Sequence, residues 1–142
     1  MIKTRGVNHI AIRISDVARA SDFYGKLLGL EVVPFPTMDR EKAAEFRDGV
    51  ASSKGVPKPT GGIWFAAGST QLHLIATPGH TERTGSPFGP RLALEVEDFD
   101  ETRRTLQKAG IDFLEAPSRL GAGRQIWISD PDGNTVELRA EK

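Results

Sequence analysis

The sequence predicts an α+β fold built from two βαβββ modules, and three observations carry that expectation. A strand-turn-helix pattern occurs twice, in "HIAIRISDVARASDFYGKLLGL" from His9 and "RLALEVEDFDETRRTLQKAGI" from Arg91. Apolar residues alternate through both strands, Ile10, Ile12 and Ile14 matching Leu92, Leu94 and Val96, so each strand buries one face. Both halves then close on a strand-turn-strand run, "IWFAAGSTQLHL" and "IWISDPDGNTVEL". One supersecondary unit used twice accounts for all three. Residues 1–142 therefore read as a single domain with pseudo-repeat halves 7–76 and 90–140.

Each element has a local cause. Asp16 and Asp98 follow the two opening strands and are placed to cap helices Asp16–Leu28 and Asp98–Ala109. Glu101, three residues past Asp98, comes close to a capping box. The helical stripes Val17, Ala20, Tyr24, Leu27 and Phe99, Thr102, Leu106, Ala109 share one spacing, i, i+3, i+7, i+10. Gly29 and Gly110 end the helices. Further strands are expected at Leu30–Val33 and near Ile111–Leu114. Asp132-Gly133 marks a hairpin turn, and Gly68 a looser one in the first half. Two stretches lie outside the repeat. Pro34–Gly62 is long and polar, with a short helix near Glu41–Phe46, and reads as a mobile lid. Thr77–Pro90 reads as a linker carrying a solvent-exposed His80.

Composition narrows the function classes. Lys+Arg and Asp+Glu both number 19, so there is no basic footprint for nucleic acid or a membrane surface. No apolar run is long enough to span a bilayer, and "MIKTRGV" lacks a secretory h-region, which makes the cytoplasm the expected compartment. Cysteine is absent, so a metal can be held only by His, Asp, Glu or water. His9, His73 and His80 are the three histidines.

Strand alternation gives two of them a direction. If the helices cover the faces carrying Ile10 and Leu92, then His9 and Arg91 point to the opposite face. In the closing strands Leu72, Leu74, Val136 and Leu138 take the core, leaving Gln71, His73 and Glu137 on that same opposite face. His9, His73, Glu137 and Arg91 thus occupy equivalent strand positions and converge if the two sheets curve together. Two histidines and a carboxylate suit Fe(II), Mn(II), Co(II), Ni(II) or Zn(II) and leave positions open for substrate. Trp64 and Trp127, at matching positions, either line a pocket or serve as core aromatics.

The stretches "VNHIAIRISDVARASDFYGKLLGLEVV", "TQLHLIATP", "RLALEVEDFDETRRTLQKAGI" and "ISDPDGNTVEL" resemble the vicinal oxygen chelate superfamily, which includes glyoxalase I, extradiol dioxygenases, fosfomycin-modifying enzymes and bleomycin-binding proteins. The resemblance implies a glyoxalase-like fold, a curved mixed sheet around one cavity, and a homodimer. It implies metal ligands at His9, His73 and Glu137, with Arg91 standing where the family usually has a third histidine. Arginine does not coordinate a cation and stays charged. At about 5 Å and an effective dielectric near 20, it would oppose a dication by roughly 6–7 kcal/mol.

Two function classes follow. In the first, the chain is a metal-dependent lyase, isomerase or dioxygenase. Its divalent ion chelates vicinal oxygens of a small, anionic substrate and stabilises an enediolate or related oxyanion. Glu137 and Arg91 then carry the catalysis, and Arg91, Gln71, Trp64 and Trp127 contact the substrate. In the second, the same cavity is a metal-free receptor that sequesters a small molecule, as bleomycin-binding proteins do. Arg91 favours the second class; His9, His73 and Glu137 favour the first.

Overall fold

A computed structural model describes residues 1–34, 60–81, 87–117 and 123–140. These form two compact units, Met1–Thr81 and Glu82–Lys142. The first unit contains β1 (His9–Ile14), α1 (Val17–Ser21) with a π-helical continuation Asp22–Leu27, β2 (Val32–Val33), β3 (Gly61–Ala67) and β4 (Thr70–Ala76). The second contains β5 (Arg91–Glu95), α2 (Phe99–Lys108), β6 (Leu114–Pro117), β7 (Arg124–Ser129) and β8 (Thr135–Ala140). The two four-stranded sheets have the same order, β1-β4-β3-β2 and β5-β8-β7-β6, with the first pair parallel and the others antiparallel. Each unit is therefore a βαβββ module, and the fold is α+β.

Sequence chemistry explains the helix starts. The Asp16 carboxylate accepts from Arg19 N–H at 2.7 Å, and that of Asp98 from Glu101 N–H at 2.8 Å. Each satisfies a backbone donor that the first helical turn leaves without an intrahelical acceptor. The reciprocal half of a capping box does not form, because the Glu101 carboxylate is drawn to Arg104 at 2.7 Å. Both helices end on glycines in the left-handed region, Gly29 at φ 72° and Gly110 at φ 68°, where a side chain would be strained.

The first helix departs from the expected α-helix over Asp16–Leu28. After Ser21 it widens to π geometry, and Leu28 N–H bonds Phe23 O five residues back at 3.0 Å. The wider turn lets consecutive aromatics, Phe23 at 6 % and Tyr24 at 0 % exposure, both reach the core. Tyr24 lies 6.4 Å from Phe65 across the helix–sheet interface. Ile14, Leu72 and Leu74 complete that core, and Leu92, Phe99, Leu106, Ile126, Val136 and Leu138 fill its counterpart. Full burial of each such side chain is worth about 1.5–3 kcal/mol.

Other boundaries also shift. The strand expected near Ile111–Leu114 forms at Leu114–Pro117, because Gly110 and Ile111 are still closing α2, with Ile111 N–H on Leu106 O at 3.0 Å. Gly61 and Gly62 belong to β3 rather than to the preceding insertion, and Thr60 N–H already bonds Ala76 O at 2.9 Å. The expected short helix near Glu41–Phe46, and most of the proposed lid, lie outside the described residues. His80 is half-buried, not solvent-exposed as expected. A turn through Gly79 folds it back, its N–H bonding Thr77 O at 3.0 Å. Among the described residues no helix is long and apolar enough to cross a membrane.

Candidate functional site

Strand register shows how the candidate residues are held. In the first unit β1 runs parallel to β4 with His9 opposite Gln71 and Ala11 opposite His73, while β3 places Trp64 opposite His73. In the second, Arg91 is opposite Thr135, Ala93 opposite Glu137 and Trp127 opposite Glu137. The two registers are the same. His9 and Arg91 are equivalent, as are His73 and Glu137, and each closing-strand residue faces a tryptophan.

The first unit contributes three rings from three adjacent strands. His73 stacks on Trp64 with centroids 4.0 Å apart and planes 10° from parallel. His9 meets Trp64 edgewise at 5.1 Å and lies 6.3 Å from His73. His9 is exposed and His73 half-buried. The His9 Nδ1–H donates to Asn8 Oδ1 at 2.7 Å, which leaves the Nε2 lone pair available as a ligand. Burial first, and the neighbouring His9 charge second, hold the His73 imidazole below its ordinary pKa. It therefore favours the neutral form that coordinates metal. Gln71 is exposed beside His9.

Sequence reasoning missed Gly62. A Cβ there would lie 3.1 Å from His73 Nε2 and 2.7 Å from Leu74 O. The missing side chain makes room for the imidazole, and the signal was the Gly-Gly pair opening β3. Asn8, which orients His9, was also missed; an amide directly preceding the candidate ligand was the available clue.

The second unit pairs the two remaining candidates directly. Arg91 Nε donates to Glu137 Oε2 at 2.5 Å. Glu137 is 3 % exposed, whereas the Arg91 side chain is 36 % exposed. A second guanidinium nitrogen, Nη1, reaches Gly89 O at 3.4 Å. Leu114, Trp127, Glu137 and Ala93 form one cross-strand row on the same face. Beside it a recess of about 180 Å³ is lined by Asp112, Phe113, Leu114, Trp127, Ile128 and Ser129. The buried Trp127 indole N–H has no hydrogen-bond partner among the described residues. Trp127 thus lines a recess, while Trp64 serves as the stacking platform of His73.

Among the described residues no group of three or more His, Asp or Glu side chains is gathered to hold a metal ion. The first unit presents two imidazoles, His9 and His73, and the second a buried carboxylate, Glu137, paired with Arg91.

Comparison with known proteins agrees with this architecture. The family model of the Glyoxalase/Bleomycin resistance protein/Dioxygenase superfamily matches residues 6–138. The metallothiol transferase FosB of Staphylococcus haemolyticus is 24% identical over 135 residues, covering 94% of this chain and 82% of FosB. A glyoxalase/dioxygenase from Nostoc punctiforme superposes with a TM-score of 0.69 at 25% identity, covering 97% and 92% of the two chains. A mutant of the fosfomycin resistance protein FosX from Listeria monocytogenes, complexed with Mn(II) and 1S,2S-dihydroxypropylphosphonic acid, superposes with a TM-score of 0.67 at 20% identity. That match covers 99% of this chain and 95% of FosX. With one module used twice and a family match over nearly its whole length, the chain belongs to the Glyoxalase/Bleomycin resistance protein/Dioxygenase superfamily.

Proposed function

We propose that this chain is a divalent-metal-dependent enzyme that binds a small, anionic, oxygenated substrate through neighbouring oxygens. His9, His73 and Glu137 are the metal ligands, and Arg91 holds the anionic group. The observation that carries this reading is the shared register: His73 and Glu137 occupy the same position in the two halves, each opposite a tryptophan. The donor chemistry fits a dication, with His9 Nε2 left free to coordinate by the Asn8 contact, His73 kept neutral by burial, and a carboxylate at Glu137. When bound, such an ion supplies Lewis-acid stabilisation to an oxyanion forming on the substrate.

The chain's own residues do the remaining work. Arg91 presents a planar, permanently charged donor fork to a carboxylate, phosphate or phosphonate. Trp127 and the recess beside it take the substrate body, and Trp64 fixes the plane of the His73 ring. Gln71, next to His9, adds a polar contact. The names of the relatives support a small anionic substrate, since FosX was crystallised with a phosphonic acid and Mn(II). We place the protein in the cytoplasm as a homodimer.

The test is a turnover screen of small phosphonates and carboxylates bearing an epoxide or carbonyl, with and without an added thiol. The metal-loaded protein should turn over at least one class, and both chelation and His73→Ala should abolish that turnover. Turnover that survives chelation and His73→Ala would contradict the reading.

A further inference from the structure

We infer that metal and anion bind this protein synergistically, because Arg91 and a divalent cation compete for one carboxylate. The inference rests on the proposed metal reading and adds the order of events within it. Arg91 Nε is joined to Glu137 Oε2 at 2.5 Å, a charge-assisted contact. Glu137 is 3 % exposed, so water does not solvate its charge and a cation must stay near it. The Arg91 side chain is 36 % exposed, and its Nη1 contact to Gly89 O, at 3.4 Å, is at the outer edge of hydrogen bonding. One partner is therefore fixed and the other can turn.

A dication arriving at Glu137 finds the guanidinium already there. It must displace Arg91 and leave that charge without a partner close to the metal. An anion that engages Arg91 removes both costs, because it supplies the guanidinium with a new partner and frees the carboxylate. Conversely, a metal that takes Glu137 releases Arg91 for an anion. Linkage requires the two effects to be equal in size. Arg91 is thus the specificity-determining residue for a substrate carrying a carboxylate, phosphate or phosphonate, and it suppresses metal occupancy until that substrate is present.

The experiment is calorimetric titration of Mn(II) into the full-length, chelator-treated protein, with and without saturating methylphosphonate. The wild type should bind Mn(II) about 10-fold more tightly with methylphosphonate, within the usual range of coupling between sites. Arg91→Gln should bind Mn(II) more tightly than the wild type without the anion and should show no response to it. Arg91→Lys keeps the charge and should retain a reduced response, so the inference stays testable if Arg91→Gln fails to fold. Mn(II) binding that ignores methylphosphonate, or an anion effect of full size in Arg91→Gln, would overturn the synergy and leave the metal reading intact. Absence of Mn(II) binding to the wild type and to Arg91→Gln, with or without methylphosphonate, would overturn the metal reading itself.

Discussion

The His73 imidazole lies flat on the Trp64 indole, with centroids 4.0 Å apart and planes 10° from parallel. If His73 is a metal ligand, as proposed, its contact with the indole makes Trp64 a reporter. Zn(II) added to the metal-free protein should change the emission of the wild type and of Trp127→Phe, and change it far less in Trp64→Phe. If the response instead follows Trp127, the stacked pair does not report metal capture.

Gly62 should tolerate no side chain. A Cβ there would lie 2.7 Å from the Leu74 carbonyl and 3.1 Å from His73 Nε2. The carbonyl belongs to the β3–β4 region and cannot yield without disturbing the ladder. Gly62→Ala should cost about 1–3 kcal/mol, as overpacking typically does, and should displace the imidazole from Trp64. Gly61→Ala is the control, since a Cβ there meets nothing within 4 Å. Urea unfolding of both variants checks the contrast, and equal losses would refute it.

Arg91 and Glu137 should contribute unequally to stability. Arg91→Ala leaves a carboxylate that is 3 % exposed without its cation, whereas Glu137→Gln leaves a guanidinium that already reaches solvent. The first should cost about 1–3 kcal/mol, scaled down from a fully buried pair because Arg91 is partly exposed, and the second less. Thermal unfolding of the metal-free variants reads the difference directly. A larger loss for Glu137→Gln would mean that packing, and not charge, dominates at this position.

Acid should destabilise the metal-free protein partly through His73. Its pKa is lowered in the fold, by burial first and by His9 second, so the unfolded chain binds the proton more readily. Above about pH 6.5, the ordinary histidine value, both states are neutral and His73 makes no difference to the pH dependence. Below that value stability falls, until the folded-state pKa is passed. His73→Gln should therefore lose less stability than the wild type between about pH 7 and 5. Parallel pH profiles of the two would show no such gap if the ring is freely solvated.

Much of the fold could be read from the sequence because local chemistry and tertiary packing agree. Asp16 and Asp98 cap as their types require, and the matched apolar stripes place both helices. The equivalence of His73 and Glu137 followed from the internal repeat together with strand alternation, and the strand register sets each opposite a tryptophan. The π-helical turn was not legible, since Phe23 and Tyr24 share a face only once the helix has widened to satisfy the core. The Arg91–Glu137 contact was missed for a different reason. Register sets Ala93, not Arg91, opposite Glu137, and only the length of the arginine side chain closes the diagonal. The space above Gly62 is a property of two neighbouring strands and of a ring lying across them. No single segment carries it.

The proposed divalent-cation ligands are His9, His73 and Glu137. Calorimetric titration of Mn(II) into chelator-treated wild type, His73→Ala and Glu137→Gln, all in the presence of methylphosphonate, tests that assignment most directly. The wild type should bind Mn(II) specifically. Each variant should bind more weakly by more than about 10-fold, since even partners outside the coordination shell typically carry that much. Wild-type binding that His73→Ala and Glu137→Gln leave unchanged, or no specific binding to the wild type at all, would contradict it.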